Sequence, residues 1–144
     1  MRCTALLLAL AFWTGEVRAQ LIVSGSPAVM VVSGAVAGSA PSVVTNSNTT
    51  YSITSPGVGK HAITADINTP MPAGVTLKIT LGASGGATSD GAITLSTTAQ
   101  DVVVGITKAA SGLPITYVLS ATEAAGVVPL QTRRVTLTLV ATPE

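Results

Sequence analysis

His61 is the only histidine in this 144-residue chain, so any imidazole chemistry has to pass through it. A serine nucleophile needs a histidine base that is oriented by a carboxylate. Asp66 lies five positions further along the same predicted strand, and an odd offset in a strand puts two side chains on opposite faces. His61 is therefore expected as a solvent-side residue beside Lys60 at a strand start, and no serine is expected to act as a nucleophile. Glycoside hydrolysis needs two carboxylates across a cleft. Asp66, Asp90, Asp101 and Glu123 fall in separate turns and strand ends, without the aromatics that line sugar clefts. Calcium takes six to eight oxygens. Asp66 and Asn68 share a strand face and Asp90 sits in a polar turn, but no Asp-x-Asp-x-Asp spacing completes a set. Zinc and iron lack ligands, and Gly85-Gly86 is followed neither by Lys-Ser/Thr nor by a helix that could cradle phosphate. The expectation is a protein that is not an enzyme and has no cofactor, catalytic or metal site. Asn48-Thr49-Thr50 matches the glycosylation acceptor pattern and is read as a polar surface loop.

Residues 1–19 read as a secretory signal peptide: Arg2 is the positive start, Ala5 to Trp13 is apolar, and Val17 and Ala19 are small residues at the cleavage positions. This apolar stretch is shorter than the ~20 residues that span a bilayer, and no later segment approaches that length, so no membrane span is expected. Cys3 precedes the apolar stretch, whereas a lipoprotein cysteine follows it. Cys3, Phe12 and Trp13, each the only residue of its type, all lie in this segment. The chain expected after cleavage, residues 20–144, has no cysteine and only two aromatics, Tyr51 and Tyr117. Small secreted domains in oxidising eukaryotic compartments are usually disulfide-stapled. A cysteine-free exported chain points instead to a bacterial source and to periplasm, cell surface or medium.

Beyond residue 19 the charges balance: Lys60, Lys78, Lys108, Arg133 and Arg134 against Asp66, Asp90, Asp101, Glu123 and Glu144. There is no basic stripe, so no nucleic-acid or anionic-membrane partner is indicated. Charged residues make up 9% of the chain, about a third of the usual share. A surface so weakly charged does little to resist association.

The elements that would position any site are strands. Val75, Leu77, Ile79 and Leu81 alternate with Thr76, Lys78 and Thr80, and Val135, Leu137 and Leu139 alternate with Arg134, Thr136 and Thr138. Ile63, Ala65 and Ile67, then Ile115, Tyr117 and Leu119, then Tyr51 and Ile53 repeat the pattern, and residues 93–96 and 102–106 are shorter candidates. Such period-2 runs predict half-buried antiparallel strands. Leu77, Ile79, Leu119, Leu137 and Leu139 should face inward, with Tyr117 the largest buried side chain. Ser55-Pro56-Gly57, residues 70–74, Ser84-Gly85-Gly86, Ser89-Asp90-Gly91 and residues 111–114 read as turns. At most one helical turn is expected, within residues 121–127. The pattern predicts an all-β fold: one antiparallel immunoglobulin-like β-sandwich of about seven to nine strands over residues 20–144, with a small β-barrel as the alternative.

Residues 20–41 differ from the rest. Leu21-Ile22-Val23 and Ala28-Val29-Met30-Val31-Val32 are apolar without polar alternation. A continuous apolar run is expected to be covered on both faces, either as a buried first strand or as an extension paired outside its own domain. Ala28, Val29, Met30, Val31 and Val32 are the candidate assembly strand.

The run Ser47-Asn48-Thr49-Thr50-Tyr51-Ser52-Ile53, the run Met71-Pro72-Ala73-Gly74-Val75-Thr76-Leu77 and the closing Arg133-Arg134-Val135-Thr136-Leu137-Thr138-Leu139 resemble secreted bacterial β-sandwich proteins of the pilin-subunit or spore-coat-U kind. The resemblance implies a structural subunit of a surface or fibre assembly. Such a subunit would join itself or other surface subunits by strand exchange, with help from a periplasmic chaperone. The chain lacks the disulfide pair of the common chaperone–usher pilins, and it ends in Ala141-Thr142-Pro143-Glu144 rather than an aromatic-tipped strand. The alternative function is a monomeric extracellular binding or accessory module using loops at one end of the sandwich.

Overall fold

The computed structural model describes residues 20–33 and 39–143. The leader with Cys3, Phe12 and Trp13 lies outside the described residues, as do residues 34–38 and Glu144. Nine strands follow in order: β1 Gln20–Ser24, β2 Val44–Thr54, β3 Lys60–Ile67, β4 Val75–Leu81, β5 Thr88–Ser89, β6 Ile93–Thr94, β7 Gln100–Ile106, β8 Ala110–Ala121 and β9 Val135–Thr142. A single 3₁₀ turn, Glu123–Ala125, follows β8, inside the window read as helical. One sheet runs β1-β2-β8-β4-β6 and the other β5-β7-β3-β9, with every pairing antiparallel. Two open sheets sharing one core make a sandwich, and the barrel alternative falls away.

Alternation builds the core. Ile63, Ala65 and Ile67 of β3 are buried against Leu77, Ile79 and Leu81 of β4, Ile115 and Tyr117 of β8 and Tyr51 and Ile53 of β2. Full burial of one such aliphatic side chain contributes ~1.5–3 kcal/mol. Both tyrosines are buried, and Tyr51, at 1% exposure, lies deeper than Tyr117 at 6%. Leu119, Leu137 and Leu139 pack on the core but stay partly exposed.

Register shifts in β2, β7 and β8 account for departures from strict alternation. In β2 the register slips between Asn46 and Thr49, where the Asn48 amide donates to Asn46 Oδ1 at 3.1 Å. Inward positions therefore shift from even to odd numbers, and the Asn48-Thr49-Thr50 match lies within a strand, with Thr49 buried. In β7 slips between its pairings with His61, Ile63 and Thr64 turn both Val102 and Val103 inward. The irregularity in β8 corrects the turn expected at residues 111–114: these belong to β8, where Ser111 and Gly112 are out of register with β2. Gly112 has φ 65° and its amide donates to Ser52 Oγ at 3.0 Å. Pro114, which cannot donate to a ladder, sits just outside the β4 register that begins at Ile115. Its ring packs so close to Gly82 that a Cβ there would lie 2.8 Å from Pro114 Cδ.

Candidate functional site

The groups capable of chemistry are dispersed. His61 corrects the solvent-side expectation: it is buried, between Ile106 of β7 and Ala141 of β9, and its Nδ1 has no hydrogen-bond partner. The signal was legible, because His61 shares odd parity with Ile63, Ala65 and Ile67. One serine motif escaped the sequence reading: Gly82-Ala83-Ser84-Gly85-Gly86 spells Gly-x-Ser-x-Gly. A nucleophile elbow sits between a strand and a helix. Ser84 is exposed, its carbonyl accepts the Ala87 amide in a turn, and the next element is β5. The spelling is present without the architecture.

The carboxylates are equally scattered. Asp66 pairs with Thr136 across β3 and β9, Asp101 faces Thr64 across β7 and β3, and Glu123 opens the 3₁₀ turn. Asn68 Oδ1 accepts the Arg134 amide at 2.8 Å, which ties the oxygen that would have joined Asp66 in a cation site. Among the described residues no group of three or more His, Cys, Asp or Glu could hold a metal ion.

Three other features stand out physically. The first is the outer edge of β9, which ends its sheet. The strand VTLTLVAT contains neither charge nor proline over eight residues. Natural edges are usually blunted by such residues, and an unblunted one is a template for a further strand. Its inward side chains Val135, Leu137 and Leu139 are half-buried, whereas Ile63, Ala65 and Ile67 on the neighbouring strand are at most 1% exposed. β1, the edge of the other sheet, touches β9 and leaves Ile22 and Val23 39% and 47% exposed.

The second feature is the run of Ala28, Val29, Met30, Val31 and Val32. The first strand of the fold is β1, and residues 26–33 form no strand. Met30 and Val32 turn inward and are half-buried, with Met30 packed on the core. Val29 and Val31 point out and are 76% and 64% exposed. The expected covering of both faces is therefore absent among the described residues: one face is covered and the other, equally apolar, is bare.

The third is a cavity of about 700 Å³ at the same end of the sandwich. It opens between residues 30–33, Ser39 and Pro41 on one side and the connection from β8 to β9 on the other, with Met71, Pro72, Val75 and Leu119 among its walls. Gly74 lets the chain close tightly there: its φ is +77°, its carbonyl accepts the Thr122 amide at 2.8 Å, and a Cβ would lie 2.7 Å from Thr122 Oγ1. Arg133 braces the wall by donating to the Pro70 carbonyl from Nε at 3.2 Å and from Nη2 at 2.8 Å.

No helix among the described residues is long and apolar enough to cross a membrane. No family model, curated protein or solved structure matches this chain significantly.

Proposed function

We propose that this chain is an exported, non-enzymatic structural subunit of a bacterial surface or fibre assembly, in which Ala28, Val29, Met30, Val31 and Val32 pair with a neighbouring subunit. The observation that carries the reading is the bare outer face of that run. A segment apolar on both faces, with no ladder in its own domain, can satisfy its backbone and bury Val29 and Val31 by adding to an unblunted edge such as β9 of another copy. The low charge of the chain and the residue pattern of 1–19 agree with export and association. A periplasmic chaperone would shield the same edge before assembly.

Sedimentation of secreted material tests this. The exported chain is expected to begin at Gln20 by mass and to form higher oligomers. Val29→Asp combined with Val31→Asp should leave a folded monomer with an unchanged melting temperature, because both side chains face solvent in the single chain. Identical oligomeric states for the two proteins would refute strand exchange through this run. The alternative reading, a monomeric binding module, is favoured by one observation, the end cavity.

A further inference from the structure

We propose that the cavity at the end of the sandwich binds a neutral, largely apolar small molecule. Protein interiors are filled to crystal-like density, with few voids larger than a water molecule. The space of about 700 Å³ is instead a cleft open to solvent, and its volume lies within the range that small-molecule sites occupy.

Its walls set the chemistry of the occupant. Met30 and Met71 bring flexible, polarisable thioethers that adapt to an irregular shape, Val75 and Leu119 supply aliphatic surface fixed on strands, and Val128 and Leu130 add more from the connection between β8 and β9. Two charged residues reach the lining, Glu123 and Arg133. The Arg133 guanidinium is already committed to the carbonyls of Pro70 and Thr132 and to Gln131 Oε1. An anionic ligand would thus find its only cation engaged and a carboxylate beside it. A cationic ligand would meet only Glu123, which is exposed and water-screened. A neutral molecule leaves both charges in their present surroundings.

The mouth supports the same reading. Val31 and Leu130 line the cavity yet are 64% and 85% exposed, so an occupant would cover apolar surface that the chain leaves in water. Both lie in segments without strand ladders, residues 26–33 and 126–134, so the mouth can adjust without breaking a sheet. The inner wall comes from β4 and β8, whereas Met30, Val31 and Val32 on the outer wall also belong to the run proposed to pair between copies, so the site is a property of the single chain and strand exchange would compete with an occupant for them.

The test uses the full chain and the neutral fluorophore N-phenyl-1-naphthylamine. At protein concentrations where the chain is monomeric, saturable enhancement with one probe per chain is expected, displaced by 1-decanol. Ala121→Trp and Met30→Trp fill the space from opposite walls, and each should weaken binding at least tenfold. Met30 lies in no strand, so its variant keeps the sandwich even if the β8 variant fails to fold. Val58→Trp, on the exposed turn between β2 and β3 at the other end, should bind like the parent. Non-saturating enhancement, one probe per two chains, or equal binding by Met30→Trp and the parent would each overturn the proposal. So would flotation of the protein with phosphatidylcholine vesicles in place of saturable probe binding, since the apolar mouth would then belong to a lipid surface.

Discussion

β3 and residues 28–32 are both rich in aliphatic side chains, yet the fold treats them in opposite ways. β3 is paired on both edges, by β7 and β9, and its Ile63, Ala65 and Ile67 are sealed in the core. The run at 28–32 has the denser apolar sequence, makes no ladder, and leaves Val29 and Val31 in solvent. The difference lies in patterning. In β3, Thr64 and Asp66 mark the outward face, so one register buries every apolar group and any slip by one residue exposes them. The 28–32 run carries no polar mark, so its own domain can cover only one face. Hydrophobicity drives burial, but alternation decides where burial can happen.

Truncating one side chain in each region should have very different costs. Ile63→Ala removes a fully buried side chain in a central position and should cost ~2–5 kcal/mol in urea unfolding. Val31→Ala should stay within about 0.5 kcal/mol for the isolated chain. Comparable losses would mean that the run is as integral to the monomer as β3.

Alkaline pH probes the same core from the other sheet. The Tyr51 hydroxyl donates to the Gly82 carbonyl, and burial pushes its pKa up to about 12 from an ordinary 10.0. Folding therefore favours the protonated phenol. Its contribution is fully present below pH 10 and is lost as pH rises from 10 to about 12, by ~2–3 kcal/mol in total. Burial raises the Tyr117 pKa as well and adds a smaller loss of the same sign. Tyr51→Phe should flatten most of this alkaline decline in stability-versus-pH titrations. An unchanged slope would place the loss elsewhere.

Most of the sandwich was legible because strand alternation is a local signal. Residues 60–67, 75–81 and 135–139 each name their inward face without knowledge of their partners. The bulges were not legible. Ser111, Gly112 and Pro114 have turn chemistry, and only the neighbouring strands β2 and β4 reveal that they kink a strand instead of ending it. His61 shares its parity with Ile63, and position outranks polarity there: the strand's alternation buries the imidazole. The cavity was beyond reach, because its walls come from residues as distant as Met30, Val75 and Leu130 and depend on how loops cross a sheet end. The run at 28–32 was visible as an anomaly in pattern, although its one-sided exposure emerged only in three dimensions.

The smallest expected effect concerns β9, which sits between the two extremes. Leu137 points inward like Ile63, yet the open edge beside it leaves it half-buried. Leu137→Ala in the single chain should therefore cost about 1–2 kcal/mol, below the range for fully buried leucines, because part of the lost surface is already hydrated. Thr138→Ala, on the outer face, should stay within about 0.5 kcal/mol. If a strand from another copy adds to this edge, it completes the burial of Leu137, and the same truncation must then cost more in the assembly than in the monomer. Measuring unfolding of Leu137→Ala in both states, with Val29→Asp and Val31→Asp holding the reference monomeric, separates an edge that is merely open from one that is built to be covered. A penalty that is equal in the two states would show that whatever joins these chains does not cover the inner face of β9.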